Sequence, residues 1–192
     1  MNLSYDLDEH VVKKRRDWKK QQRRREERRE WAASLEGEQA VEQAKEVALR
    51  MLDRQDRSVG QCRARLSERG FQPEPIEEAL QRLVDANILD DERYARMLVR
   101  TRHAERGLVG RALVEQLRRK LIPPDVIEQA LDEVDEDNTD RVASELVRKR
   151  LRTMGGVDQK RQRQRLLSML ARKGYPPSQS IRVISEVMEE DN

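Results

Sequence analysis

Three short stretches decide how this chain folds: Gly70-Phe71-Gln72-Pro73, Leu121-Ile122-Pro123-Pro124 and Gly174-Tyr175-Pro176-Pro177. Each joins a left-handed-capable or turn residue, a large apolar residue and a proline. Glycine suits the C-terminal cap of one helix, and proline suits the first position of the next. Each stretch therefore reads as the corner between two helices. The second has Leu121 where the others have glycine, so a different cap is expected there.

Working outward, the flanking residues repeat with offsets of 51 and then 53. Cys62, Leu113 and Leu166 share a slot, and so do Leu66, Leu117 and Leu170. These slots are four apart, which puts them on one helix face. After the corner come Ala79, Ala130 and Val183, then Leu80, Leu131 and Ile184, then Leu83, Val134 and Val187, the apolar face of a second amphipathic helix. A further helix precedes each pair: Ala44, Val47 and Ala48 match Ala95, Leu98 and Val99, and then Ala143, Leu146 and Val147 with an offset of 48. The loop holding Met154-Gly155-Gly156 is therefore longer than its counterparts. Ser58 with Gln61 resembles a capping box, and Asp90 or Asp91, Asn138 or Thr139, and Asp158 are the other expected N-caps.

The expected fold is all-α: three tandem three-helix repeats, nine helices, stacked into an elongated, curved array. The expected divisions are 38–88, 89–137 and 138–192. Composition agrees. Apolar residues make up 36% and charged residues 40%, too polar a mixture for one large core but sufficient for small repeated ones. Residues 1–37 read as a basic extension, disordered or a frayed helix, which Gly37 ends. It lacks an apolar stripe wide enough to fold against a core.

The net charge of +3 conceals strong segregation. Residues 10–31 hold 11 Lys or Arg against 4 Asp or Glu, and residues 141–173 hold 11 against 2. Residues 124–140 hold 8 acids and no Lys or Arg. The second helix of each repeat is basic: Arg63, Arg65 and Arg69; Arg111, Arg118, Arg119 and Lys120; Lys160, Arg161, Arg163, Arg165, Arg172 and Lys173. The helix after it is acidic: Glu74, Glu77 and Glu78; Asp125, Glu128, Asp132 and Glu133; more weakly Glu186, Glu189 and Glu190. Arg148-Lys149-Arg150 with Arg152 is the densest basic cluster of the repeats. Charge runs are usually solvated helix faces. Recurrence in register, with arginine favoured over lysine, points instead to a basic face for phosphate or carboxylate groups. In the extension, Lys13 to Arg29 with Trp18 and Trp31 reads as a tethering arm with some affinity for nucleic acid.

No phosphate loop, dinucleotide turn or zinc-ligand spacing is present, and His10 and His103 lie in unrelated segments. No enzyme activity, cofactor or metal is expected. Cys62 reads as a small core residue, and Asp90-Asp91-Glu92 as a helix start. A single cysteine, the lack of an apolar run in residues 1–30 and the lack of a spanning segment point to the cytoplasm and to no membrane.

Leu89-Asp90-Asp91-Glu92-Arg93-Tyr94-Ala95 resembles the Leu-Asp-Asp motif of the RecX family, which is followed by an aromatic residue and alanine. Ala48 to Leu52 with Arg57-Ser58 is similar to the family's first motif. Gly107 to Leu117 with Ile122 is similar to a later one, although Gln116 separates Glu115 from Leu117. The resemblance covers about residues 38–190. It implies three-helix repeats and a monomer that binds the RecA filament on single-stranded DNA. It also implies that filament growth, strand exchange, ATP hydrolysis and co-protease activity are limited, with possible contact to double-stranded DNA and no catalytic residues. A general DNA-binding repeat protein or an adaptor for another partner are the competing readings.

Overall fold

The computed structural model describes residues 3–132 and 136–190, with side chains described for 18–132 and 138–190. Val134 and Glu133 lie outside the described residues, as do the side chains of the head before Trp18. All regular structure among the described residues is helical. The chain divides into two compact units, Met1–Leu89 and Asp90–Asn192.

The first unit contains α1 (Leu3–Ala33), α2 (Gly37–Leu52), α3 (Val59–Glu68) and α4 (Pro73–Asp85). Ala40, Ala44 and Ala48 recur every fourth residue on α2 and are at most 1% exposed. This stripe packs with Ala79, Leu80 and Leu83 of α4 and with Cys62 and Leu66 of α3 in one core. Arg82 fastens α4 to α2, reaching Glu38 at 2.5 and 2.9 Å and Glu42 at 3.2 Å while also binding Glu78 on its own helix. Hydrogen bonding to Arg82 holds the Glu38 carboxyl below the ordinary range. The capping box forms as expected, with the Gln61 amide donating to Ser58 Oγ at 3.0 Å and the Ser58 amide donating to Gln61 Oε1 at 3.4 Å.

Two expectations for the extension need correction. Helix α1 stops at Ala33, and Gly37 opens α2 instead of closing the head. Ala32 and Leu35 are buried in the core of the first repeat, so the core reaches back across the expected boundary at residue 37.

The second unit holds two three-helix groups: α5 (Asp91–Arg106), α6 (Gly110–Arg118) and α7 (Pro124–Asp132), then α8 (Glu136–Leu151), α9 (Gln159–Lys173) and α10 (Pro177–Glu190). The nine expected helices form three triplets, and α1 ahead of them makes ten among the described residues. Asp90 caps α5 through the Arg93 amide at 2.8 Å, and Asp158 caps α9 through the Arg161 amide at 3.0 Å. Asn138 and Thr139 lie inside α8, which already begins at Glu136. Within the helix, the amide group of Asn138 instead meets His103 Nε2 of α5 at 3.2 Å.

The three corners share one geometry. The amides of Phe71, Ile122 and Tyr175 each reach back five residues, to the carbonyls of Leu66, Leu117 and Leu170, at 3.3, 3.3 and 3.2 Å. That is the hydrogen bond of a Schellman cap, and the residue before each donor is left-handed. Gly70 and Gly174 have φ +96°. Leu121 has φ +56°, so the expectation of a different cap at that corner is overturned. What separates the three is the neighbourhood. A Cβ on Gly70 would lie 2.6 Å from the Arg29 carbonyl oxygen of α1, and one on Gly174 would lie 2.0 Å from that of Val109. Leu121 is 50% exposed and has room for its side chain. The end of α1 thus covers the corner of the first repeat as the start of α6 covers the corner of the third.

The third repeat rests on the second at this place. The Val109 amide donates to the Lys173 carbonyl at 2.9 Å, and Lys173 Nζ donates to the Arg106 carbonyl. A Cβ on Gly107, which ends α5 with φ +59°, would collide with Leu146 of α8 at 2.5 Å. Across α8 and α10, Asp140 accepts from Arg182 at 2.5 Å and from Gln179 at 2.7 Å.

Two outcomes are expected. Leu121→Gly relieves a left-handed leucine and stabilises the chain by about 0.5–1 kcal/mol in urea unfolding. Gly174→Ala costs about 2 kcal/mol or more, because the new methyl has nowhere to go. A neutral Leu121→Gly together with a neutral Gly174→Ala contradicts both corner geometries. Second, hydrogen bonds from Arg182 and Gln179 hold the Asp140 carboxyl below its ordinary range of about 3.8. A depressed acid adds stability above its unfolded value, and that stability fades as pH falls through the folded value. Unfolding of the second unit, followed below pH 4, should be less pH-dependent in Asp140→Asn than in the parent chain.

Candidate partner-binding surfaces

The cations expected on the second helices do not act as one set within their own repeats. On α3, Arg63 turns to the acidic helix and forms a two-point pair with Glu77 at 2.6 and 2.9 Å. Arg65 binds Glu68 at 2.6 Å. Arg69 lies at the end of α3, where burial and then the charges of Arg65, Arg28, Arg50 and Arg54 pull it below the ordinary arginine range. Arg65 and Arg69 therefore share a surface with α1 and the end of α2, which sequence reading did not anticipate.

In the second repeat, Arg111, Arg118 and Arg119 are exposed on α6 and form no ion pair among the described residues, while Lys120 is half-buried. The third repeat is more sharply divided. Arg148 pairs with Glu190 of α10 at 2.7 Å, Arg161 with Asp158 at 3.2 Å, and Arg163 donates to Ser185 at 3.1 Å. The first and third link α10 to α8 and α9, and the second stays at the start of α9. Lys173 serves the joint with Arg106, and burial, then the Arg106 charge, lowers its affinity for its proton. Arg150 from the end of α8 and Arg165 and Arg172 from α9 remain. They line an open groove of about 580 Å³ with Gln164, Ser168 and Met169. Lys149, Arg152 and Lys160 are exposed nearby in sequence.

The motif residues are mostly buried or sit at a helix start. Leu89 is 2% exposed, Tyr94 6%, and Ala95 and Leu117 0%. Asp90 caps α5, with Asp91 in its first turn. Gly107 is the close-packed corner already described. Cys62 is fully buried and forms no disulfide. No group of three or more His, Cys, Asp or Glu suited to a metal ion occurs among the described residues. No helix among them is long and apolar enough to cross a membrane.

Arg50 and Arg54 were missed, and Arg28 was named only as part of the basic arm from Lys13 to Arg29. The repeat offset of 99 between α2 and α8 makes Arg50 the counterpart of Lys149, so alignment of the basic clusters carried the signal for that one. Nothing in the sequence put Arg28 beside Arg69, since only packing brings α1 to α3.

Comparison with known proteins agrees with the three-repeat architecture. Residues 44–83, 90–131 and 138–184 match the first, second and third three-helix domains of RecX. The regulatory protein RecX of Amycolatopsis mediterranei is 39% identical over 158 residues, spanning 82% of this chain and 90% of that protein. The one from Streptomyces coelicolor is 35% identical over 151 residues, spanning 79% and 80%. The crystal structure of RecX from Lactobacillus salivarius superposes with a TM-score of 0.71 at 20% identity, covering 77% of this chain and 96% of that one. With all three domains matched in order and relatives this similar along most of their length, the chain belongs to the RecX family.

Proposed function

We propose that this chain regulates RecA, mainly as an inhibitor, without catalysis of its own. It binds the RecA filament on single-stranded DNA and limits filament growth, strand exchange, ATP hydrolysis and co-protease activity. Family membership supplies the regulatory role. The observation that carries the mechanism is the groove of Arg150, Arg165 and Arg172, three exposed guanidinium groups that no carboxylate neutralises among the described residues.

Such groups suit a polyanionic partner surface. Guanidinium forms two-point contacts with carboxylates of a protein and with phosphates of its bound strand. Exposed Arg111, Arg118 and Arg119 offer a comparable surface in the second repeat. Several contacts of modest strength, linked in one chain, sum through effective concentration on a polymer that repeats its own binding sites. The paired cations Arg63, Arg148 and Arg161 serve the fold in this reading, and the open ones serve the partner.

The test is RecA-dependent ATP hydrolysis on single-stranded DNA, titrated with the parent chain and with Arg150→Gln/Arg165→Gln/Arg172→Gln. The expected result is inhibition by the parent and a midpoint shifted about tenfold upward in the variant, equivalent to ~1.4 kcal/mol, with helicity unchanged. Unshifted inhibition in the variant removes the groove from the mechanism. A parent chain with no effect on RecA removes the function.

A further inference from the structure

The first unit carries a concave cationic surface that its packing does not use. The end of helix α1 borders α2 and α3, and the groove between them holds about 490 Å³. Arg25, Arg28 and Arg29 line it from α1, and Arg65 and Arg69 from α3. The three on α1 are spaced one, three and four apart, so 25, 28 and 29 form a short row on one side of that helix. Glu26 and Glu68 are the acids in the lining, and Glu68 is already engaged by Arg65. The five arginines therefore outnumber the acids, and the charges of Arg50, itself paired with Glu46, and Arg54 also reach Arg69. Arginine does not escape such crowding by losing its proton. An external anion relieves it.

Trp31 lines the same groove and is 49% exposed. An indole half in water among guanidinium groups adds nothing to the core, whose members from this segment are Ala32 and Leu35. It does place an aromatic ring beside a row of cations. A carboxylate-bearing protein surface uses only the cations. A nucleic-acid strand uses both, phosphates on the arginines and a base on the ring.

We infer that the groove between α1, α2 and α3 is a binding site for one strand of nucleic acid, with its phosphates on Arg25, Arg28, Arg29 and Arg69 and a base stacked on Trp31. The site needs no RecA and goes beyond the filament reading. Arg25, Arg28, Arg29 and Trp31 all precede residue 44, where the match to the first RecX domain begins, so membership of the family does not imply it. Without α1, the first repeat has Arg65 and Arg69 but neither the row nor the ring.

The experiment uses the full chain alone, in a Trp18→Phe background that leaves Trp31 as the single indole. A labelled oligothymidylate is titrated at several salt concentrations, with anisotropy and Trp31 emission both recorded. Binding should quench Trp31. Arg28→Gln/Arg69→Gln should weaken binding and reduce the salt slope by roughly 1.4, the value for two phosphate contacts on a single strand. Trp31→Ala should weaken it roughly tenfold, while Trp31→Phe keeps most of the affinity. Binding unaltered by these changes overturns the site. So does loss confined to Arg165→Gln/Arg172→Gln, which moves the strand to the third repeat, or equal affinity for polyglutamate, which makes the groove a general anion surface. Because RecA is absent, none of these outcomes bears on filament inhibition, and a defect in inhibition leaves the site standing.

Discussion

The structure depends on one turn made three times. At each corner between a second and a third helix, a left-handed residue lets the next amide reach back to the carbonyl five residues earlier, and the apolar residue donating that amide is buried. Proline then starts the following helix with φ already set. The turn fixes the angle at which the two helices leave the corner. That angle in turn places the apolar slots of both helices against the small-residue stripe of the preceding one. A chain with so few apolar residues has little surplus burial, so a wrong corner would strand half of each small core in water.

The corners also govern how neighbouring elements meet. Where the left-handed residue is glycine, a backbone passes over it at a distance no side chain tolerates: α1 over Gly70, and the start of α6 over Gly174. Where it is leucine, none needs to. Glycine in this family of corners thus marks a contact with another element, and the left-handed conformation itself is secured by the hydrogen bond. This gives the extension a definite place. It ends by covering the first repeat's corner, using a helix in the position that a preceding repeat takes elsewhere.

Charge is organised by the same framework. Second helices carry more arginine than their own acidic neighbours neutralise. The arginines that face the third helix are consumed by it, as Arg63 is by Glu77. Those that face the first helix gather in grooves, with Arg150, Arg165 and Arg172 in the last repeat and Arg65 and Arg69 in the first. Exposed pairs contribute little stability, so the excess adds little to what keeps the chain folded.

The helices, their corners and the repeated core slots were legible in the amino-acid order, because period, proline and apolar spacing are local properties and three copies reinforce one another; core positions outside the slots, such as Ala40, Ile76, Val109 and Met154, were not. Leu66, Leu117 and Leu170 are fully buried, as their shared slot requires. The cap residues Ser58, Asp90 and Asp158 were legible for the same reason. The left-handed state of Leu121 was not, since a leucine there is locally unfavourable and is imposed by the turn around it. The division of the arginines into paired and open ones was not legible either. Neither was the arrival of Arg28 beside Arg69. Both depend on which helices lie side by side, and residues separated by forty positions learn of one another only through packing.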